Sequence, residues 1–375
     1  MGIIRLLLAA AVVLGHSSPI FGQTLGGGVL AVNCFFVISG FYMAMVLQKK
    51  YLRLPTHQWK TFMSARLLRL MPLYLMVCLA TLAVVIKLGD RQPFGHLSDL
   101  SPSSVVVVVV SNVTLLGQDA MLFLGVGHGG GLHFTADFWS EPLPAYRYML
   151  IPPAWSVSLG LGFYALAPRL VRLKLRWTVF ALAAALTLRH FLVSAGYAQD
   201  PWSYRFFPTA IAYFLAGMIA YRCNALPSMQ RRISPLVRRW GAPTALVSTV
   251  ALLFYAQVGQ ERSPAFTFVA PYFVALLVPA IFSLSKNSAV DRWIGDLSYP
   301  LYLVHVLVFA VMHVKNIPAP GSVFLPVALV VSALLLVVVD HPVERYRQRR
   351  LAALIASATR TEPVPIPHAM AETVT

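Results

Sequence analysis

The chain has 375 residues, of which 58% are hydrophobic and only 11% charged, and its formal net charge is +17. Soluble domains hold about 25% charged residues, so this composition excludes a water-soluble globular protein and points to a polytopic helical membrane protein. The basic excess falls in short runs between apolar segments, as cytoplasmic loops do under the positive-inside rule, and it argues against a nucleic-acid partner.

Eleven apolar segments follow one another, at about 4–21, 28–47, 70–88, 104–126, 150–167, 177–195, 206–221, 242–258, 266–285, 298–314 and 322–339. In the first, Arg5 and His16 stand eleven residues apart in an otherwise apolar helix. Ionisable groups are costly in hydrocarbon and usually face a bundle interior or a water-filled site. Eleven helical residues rise by about 16 Å, roughly half the bilayer core. With Arg5 at one surface, His16 reaches the middle or beyond. The order of basic residue, apolar run and small polar residues imitates a signal peptide. There is no clear A-x-A site, and the segment reads as a retained span.

The second segment holds Phe35-Phe36-Val37-Ile38-Ser39-Gly40-Phe41, in which Ser39 and Gly40 allow close helix approach. Residues 49–69 then carry six basic groups and no acid. Arg66 and Arg69, three apart, share a helical face at the start of the third span, ahead of Pro72 and Tyr74. Two readings are open for them. They are snorkelling membrane anchors, or they cradle a phosphorylated ligand, which guanidinium groups bind bidentately.

Segment 104–126 opens with Val105–Val110, a run better suited to a strand, and breaks at Asn112, Thr114, Gly117, Gln118 and Asp119. It lies between two acid-free basic runs, 49–69 and 169–176, with one apolar segment on either side. Only an even number of spans joins two cytoplasmic loops, so 104–126 is read as re-entrant or interfacial. The expected fold is an all-α polytopic membrane protein of about ten transmembrane helices with both termini cytoplasmic. The region 127–149, Gly-rich and carrying His128, His133, Asp137, Glu141 and Arg147, becomes an external loop.

In the fifth span Ala154, Ser158 and Gly162 make a small-residue packing stripe, and Trp155 is an interfacial anchor. Further basic runs are Arg222, Arg231, Arg232, Arg238 and Arg239, and then Arg345–Arg350. The segment from Ser298 through Tyr302 places His305 about 10 Å inside Ser298, as a packing residue or as part of a site. Residues 1–350 read as one membrane domain and 351–375, with Pro363, Pro365 and Pro367, as a disordered cytoplasmic tail. Cys34, Cys78 and Cys223 stand singly, which suggests neither a disulfide framework nor a metal cluster.

Taken in order, these stretches resemble acyltransferase family three, the integral-membrane O-acyltransferases of bacterial envelope and exopolysaccharide modification. The pieces that match are Arg5 with His16, the FFVISGF run, Arg66 and Arg69 with Pro72 and Tyr74, and Asn112 to Asp119. They continue with Trp155-Ser156 to Phe163-Tyr164, Phe206-Phe207-Pro208 with Phe214 to Gly217, Ser298 to His305, and His341-Pro342-Val343-Glu344-Arg345. The resemblance implies transfer of an acyl group, usually acetyl from acetyl-CoA, to a sugar hydroxyl at the bacterial inner membrane. Acetyl-CoA is then a donor substrate and not a bound cofactor. The partners are acyl-CoA, a sugar-containing acceptor and the lipid bilayer. By the same resemblance Arg5, Arg66 and Arg69 hold the donor and His16 is catalytic, with Ser298, Tyr302, His305 and Trp155 as further candidates.

One departure stands out. The family's fifth span has a glutamate five residues after its tryptophan, and here that position is Gly160. No acid occurs in residues 1–89 or 142–199. The expectation is that His16 lacks its orienting carboxylate and that Gly160→Glu raises the transfer rate. If the acid comes from elsewhere, Asp137 and Glu141 are the first to consider. The alternatives are a transporter of a glycolipid or small anion using the same Arg and His residues as a relay, and a catalytically weakened relative.

Overall fold

The computed structural model describes residues 1–54, 57–88, 95–226, 235–262 and 265–360. Arg231, Arg232 and the tail beyond 360 lie outside the described residues. The helices are α1 (Gly2–Gly15), α2 (Gly27–Lys49), α3 (Gln58–Leu88), α4 (Pro102–Thr114), α5 (Trp155–Leu170), α6 (Leu175–Ser194) and α7 (Phe207–Asn224). They continue with α8 (Pro235–Arg262), α9 (Phe266–Ser285), α10 (Ala289–Asp296), α11 (Ser298–Val314), α12 (Gly321–Leu335) and α13 (His341–Arg360). A π-helical turn, Leu336–Asp340, joins the last two. The final helix runs ten residues past 350, into what the composition marks as tail.

This is a helical membrane protein. Among the described residues, six stretches are long and apolar enough to cross a bilayer: Gly27–Arg53, Gln58–Lys87, Leu175–Ser194, Phe266–Ser285, Ala289–His313 and Gly321–Leu354. Gly2–Gly15, Pro102–Thr114 and Gly241–Ala256 are apolar but shorter. Length and composition thus reach six and not the ten expected from loop charge.

The valine run 105–110 is helical, because Ser101 caps α4 by accepting from the Ser104 amide and Pro102 starts it with a preset φ. Leu115 ends it in the left-handed region at φ 64°. Thirteen residues rise about 20 Å, short of a roughly 30 Å core. Segment 104–126 is therefore no single helix. Beyond α4 the chain forms a 3₁₀ turn, Ala120–Phe123, and then β1 (Leu124–Val126). Strand β1 pairs antiparallel with β2 (Leu132–Phe134). The all-α expectation missed this small hairpin, whose Gly-rich connection reads as loop. Gly130 turns it at φ 72°, and a Cβ there would stand 2.5 Å from the Ser101 amide nitrogen.

Two glycines set the centre of the bundle. A Cβ on Gly40 of α2 would lie 1.9 Å from the Phe214 carbonyl oxygen of α7, and one on Gly217 would lie 1.9 Å from that of Val37. The helices approach to backbone contact twice, a few residues apart, as small residues permit in membranes. Helix α1 lies against α2, α10, α11 and α12. At its start Asp291 accepts from the Gly2 and Ile3 amides at 2.7 and 3.0 Å, satisfying two donors that have no partner within the helix.

Candidate functional site

Helices α1, α2, α3, α5, α7, α9, α10, α11 and α13 line a cavity of about 720 Å³. Arg5, Arg66 and Arg69 all line it. Arg5 donates from Nη2 to the Ser298 hydroxyl at 2.9 Å, and that hydroxyl donates onward to the Gly295 carbonyl at 2.6 Å. Gly295 leaves room chiefly for the α1 backbone, since a Cβ there would sit 2.6 Å from the Gly2 Cα, and also 3.3 Å from Nη1 of Arg5. Arg66 is 7% exposed, its guanidinium lies 5.5 Å from the Phe62 ring, and its buried Nε has no hydrogen-bond partner. Arg69 meets Asp296 at 3.7 Å. Three guanidinium groups thus line one cavity, whose wall also holds Asp291, Asp296, Asp340 and Glu344; with Lys50, Lys286, Arg292 and Arg347 beside them, Lys and Arg outnumber the acids seven to four, a balance that attracts anions.

The arginines lead to an apolar inner end. Phe35, Phe36, Val157 and Phe214 line it, and Tyr302 and Ser156 close it. The Tyr302 hydroxyl donates to the Pro153 carbonyl at 2.7 Å and lies 2.7 Å from the Ser156 hydroxyl. The Ser156 hydroxyl also reaches the Pro153 carbonyl, at 3.2 Å, so the two hydroxyls share that acceptor and either can donate to the other.

His16 does not line this cavity. Its ring centroid is 5.1 Å from that of His305, and the His305 ring is 6.1 Å from that of Tyr302. His305 is fully buried, and among the described residues neither ring nitrogen has a partner at hydrogen-bonding geometry. The order is therefore cavity, Tyr302, His305, His16. At the end of α1, Nδ1 of His16 is 2.8 Å from the Val12 carbonyl oxygen. A carbonyl only accepts, so Nδ1 carries the proton, and the lone pair of a neutral ring is at Nε2. A backbone carbonyl thus orients the ring where the sequence suggests that a carboxylate is missing.

Gly160 lines the cavity on the arginine side, one turn from Ser156. A Cβ there would meet only the phenol end of Tyr164, at 4.0 Å. Trp155 is not in the cavity wall; its ring packs edge-on against Tyr204 at 4.8 Å and under the Arg205 guanidinium at 4.6 Å. Arg205 is in turn held through Nε by both Asp200 oxygens, at 2.8 and 2.9 Å.

Asp137 and Glu141 stay in the loop region 127–149 and reach neither the cavity wall nor His16. Asp137 accepts from Ser140 at 2.6 Å and from the Trp139 amide at 3.0 Å, and these bonds hold its carboxyl below the usual range. Glu141 faces His133 at 3.3 Å. The acid that does meet α5 is Asp119, which accepts from Ser158 at 2.7 Å. Sequence reasoning gave no role to Asp119, Ser156, Asp296 or Arg205. Ser156 stood next to Trp155 and Asp296 two residues before Ser298, but only the folded chain shows what each touches.

A family profile described as "Acyltransferase domain" matches residues 1–340. The chain is 26% identical over 376 residues to "Acyltransferase MdmB" of Streptomyces mycarofaciens, covering 90% of this chain and 86% of that protein. It is 25% identical over 185 residues to "Regulator of hypoxia-inducible factor 1" of Caenorhabditis elegans, covering 48% of this chain and 31% of that one. It is also 30% identical over 141 residues to "Protein 2 in picA locus" of Rhizobium radiobacter, covering 36% of this chain and 71% of the relative. No solved structure matches. A profile spanning nearly the whole membrane bundle, on a chain whose arginines share one cavity, establishes that the protein belongs to this acyltransferase family and is a membrane enzyme that transfers acyl groups.

Proposed function

We propose that this enzyme moves an acyl group, acetyl by the family resemblance, from cytoplasmic acyl-CoA to a hydroxyl of a sugar. The acceptor would belong to a polysaccharide, a lipid-linked oligosaccharide or a glycolipid. The observation that carries the reading is the convergence of Arg5, Arg66 and Arg69 on a cavity whose inner end points through Tyr302 and His305 to His16. The arginines hold the CoA phosphates by charge-assisted contacts. The pantetheine arm carries the thioester inward. His16, with its lone pair at Nε2, takes the proton of the acceptor hydroxyl as general base. The acceptor oxygen then bonds to the acyl carbon, the carbon–sulfur bond breaks, and the proton passes to the departing thiolate. The basic runs are cytoplasmic and ten segments cross a bacterial inner membrane, with both termini inside.

The test is purified protein in liposomes with acetyl-CoA and envelope glycan fractions. CoA release that depends on acceptor and on His16 supports the reading. A transporter built on the same residues releases no CoA.

A further inference from the structure

Asp296, which faces Arg69, and His305, which faces His16, lie nine residues apart on the stretch Ala289–His313. Leu297 divides that stretch into α10 and α11, and within α11 the seven residues from Ser298, the partner of Arg5, to His305 rise by about 10 Å. The pantetheine arm is about as long as a bilayer leaflet is thick, ~15 Å. With its phosphates at the arginines, an extended arm brings the thioester to the depth of the two histidines. Tyr302 stands in that path, one turn beyond Ser298 and one before His305. Its ring packs edge-on to Phe35 at 6.5 Å, and its hydroxyl binds Pro153 and Ser156 at the start of α5. These groups separate the cavity from His16, which is itself exposed.

We propose that Tyr302 and Ser156 are positioning residues that decide between acyl transfer and hydrolysis. Their contact closes the donor cavity against His16, and the arm displaces the Tyr302 ring to present the thioester. The inference rests on reading the cavity as the acyl-CoA site. While the contact holds, water beside His16 cannot reach the thioester carbon. When it opens without acceptor, water activated at Nε2 attacks that carbon, the carbon–sulfur bond breaks, and a carboxylic acid and free CoA form, with the proton returned to the thiolate. The hydroxyl pair thus keeps the open state short-lived even with the arm bound, so that the thioester meets His16 mainly when an acceptor hydroxyl already stands there.

The experiment measures acetyl-CoA hydrolysis without acceptor, and transfer with it, for wild type, Tyr302→Phe, Ser156→Ala and Tyr302→Ala in liposomes. Tyr302→Phe keeps the ring and removes both hydroxyl contacts. Losing one hydrogen bond of ordinary strength shifts such an equilibrium about fivefold. Hydrolysis should therefore rise about fivefold in Ser156→Ala, more in Tyr302→Phe and most in Tyr302→Ala. Adding His16→Ala should abolish the excess, which general loosening of the fold would leave intact. Binding of CoA alone, followed by thermal shift, is the control. If wild type binds no CoA, the reading of the cavity fails. If CoA binds and transfer proceeds while the ratio of hydrolysis to transfer stays at the wild-type value in all three variants, the positioning role is refuted. Loss of transfer in Tyr302→Phe with no added hydrolysis also refutes it, and makes the phenol a group needed by the chemistry itself.

Discussion

Removing Arg66 should move ligand binding and apo stability in opposite directions. Arg66 is 7% exposed, its Nε is buried without a partner, and among the described residues no carboxylate lies within 4.0 Å of it. The charge that faces it most closely is Arg69, of the same sign. An uncompensated buried cation beside a second one is a cost to the empty protein. Replacing it with an apolar side chain of similar length, Arg66→Met, keeps most contacts with Phe62 and removes that cost. With acyl-CoA present the same charge gains a phosphate contact worth about 1.5–3 kcal/mol. Its loss should raise the dissociation constant by a factor of about 10–150.

Detergent-solubilised protein settles the matter with two measurements, the melting temperature without ligand and the equilibrium affinity for acetyl-CoA. Arg66→Met should melt no lower than wild type, yet bind at least tenfold more weakly. Arg69 provides the contrast, because Arg69→Met strands Asp296. Both side chains are about 30% exposed, so solvent screening keeps that destabilisation below about 1 kcal/mol. Arg66→Met protein that binds acetyl-CoA like wild type and melts lower would show that this arginine is a membrane anchor, and the phosphate cradle would fall.

Gly160→Glu should fold normally, since its Cβ meets only Tyr164 at 4.0 Å, and should raise the KM for acyl-CoA by placing a carboxylate among the donor arginines. A faster transfer step at unchanged KM would show instead that the carboxylate serves His16 across Tyr302. Gly217→Ala drives a Cβ to 1.9 Å from the Val37 carbonyl and should cost about 1–3 kcal/mol or more, read as a lower melting temperature; an unchanged melting temperature would mean that the α2–α7 contact is looser than drawn. A cysteine label near Gly129 should react from outside the cell, and reaction from the cytoplasm would require 104–126 to cross the membrane.

Most of the bundle was legible because hydrophobic runs in a membrane protein have few alternatives to helix. Phe266–Ser285 and Ser298–Val314 coincide with the apolar segments, and 28–47, 177–195, 206–221 and 322–339 agree with their helices within a few residues, whereas α3 begins twelve residues before its segment and α4 ends twelve before the end of 104–126. The hairpin was not legible, since six strand residues around a glycine-rich turn give no periodic signal. The valine run misled for a related reason: β-branched residues favour strands only where partner strands exist, and the Ser101 cap with Pro102 decided for helix. Arg5, Arg66 and Arg69 were found because cations in apolar helices are conspicuous. Ser156 was overlooked because a serine in a packing stripe looks like any other, and its importance lies in a partner 146 residues away.

The family resemblance implies a glutamate where this chain has Gly160, and its absence would bear differently on the two tasks that a carboxylate can do for a histidine base. One is to fix the tautomer, and the Val12 carbonyl does this from the preceding turn of α1. The other is to stabilise the imidazolium that forms once the proton is taken. A neutral carbonyl does this less well than an anion. Asp137 and Glu141 are held in their own turns, and Asp119 is engaged by Ser158, so none of these acids contacts His16. The base is thus oriented but weakly compensated, which favours a mechanism in which the proton leaves His16 quickly. Handing it directly to the departing thiolate achieves that, provided the thioester sulfur and Nε2 are close when the bond breaks. Such closeness requires the thioester on the His16 side of Tyr302. If His16 is the base, as proposed, the missing carboxylate and the position of Tyr302 are linked: without an acid to hold the charged imidazole, catalysis would depend on delivering the leaving group to it.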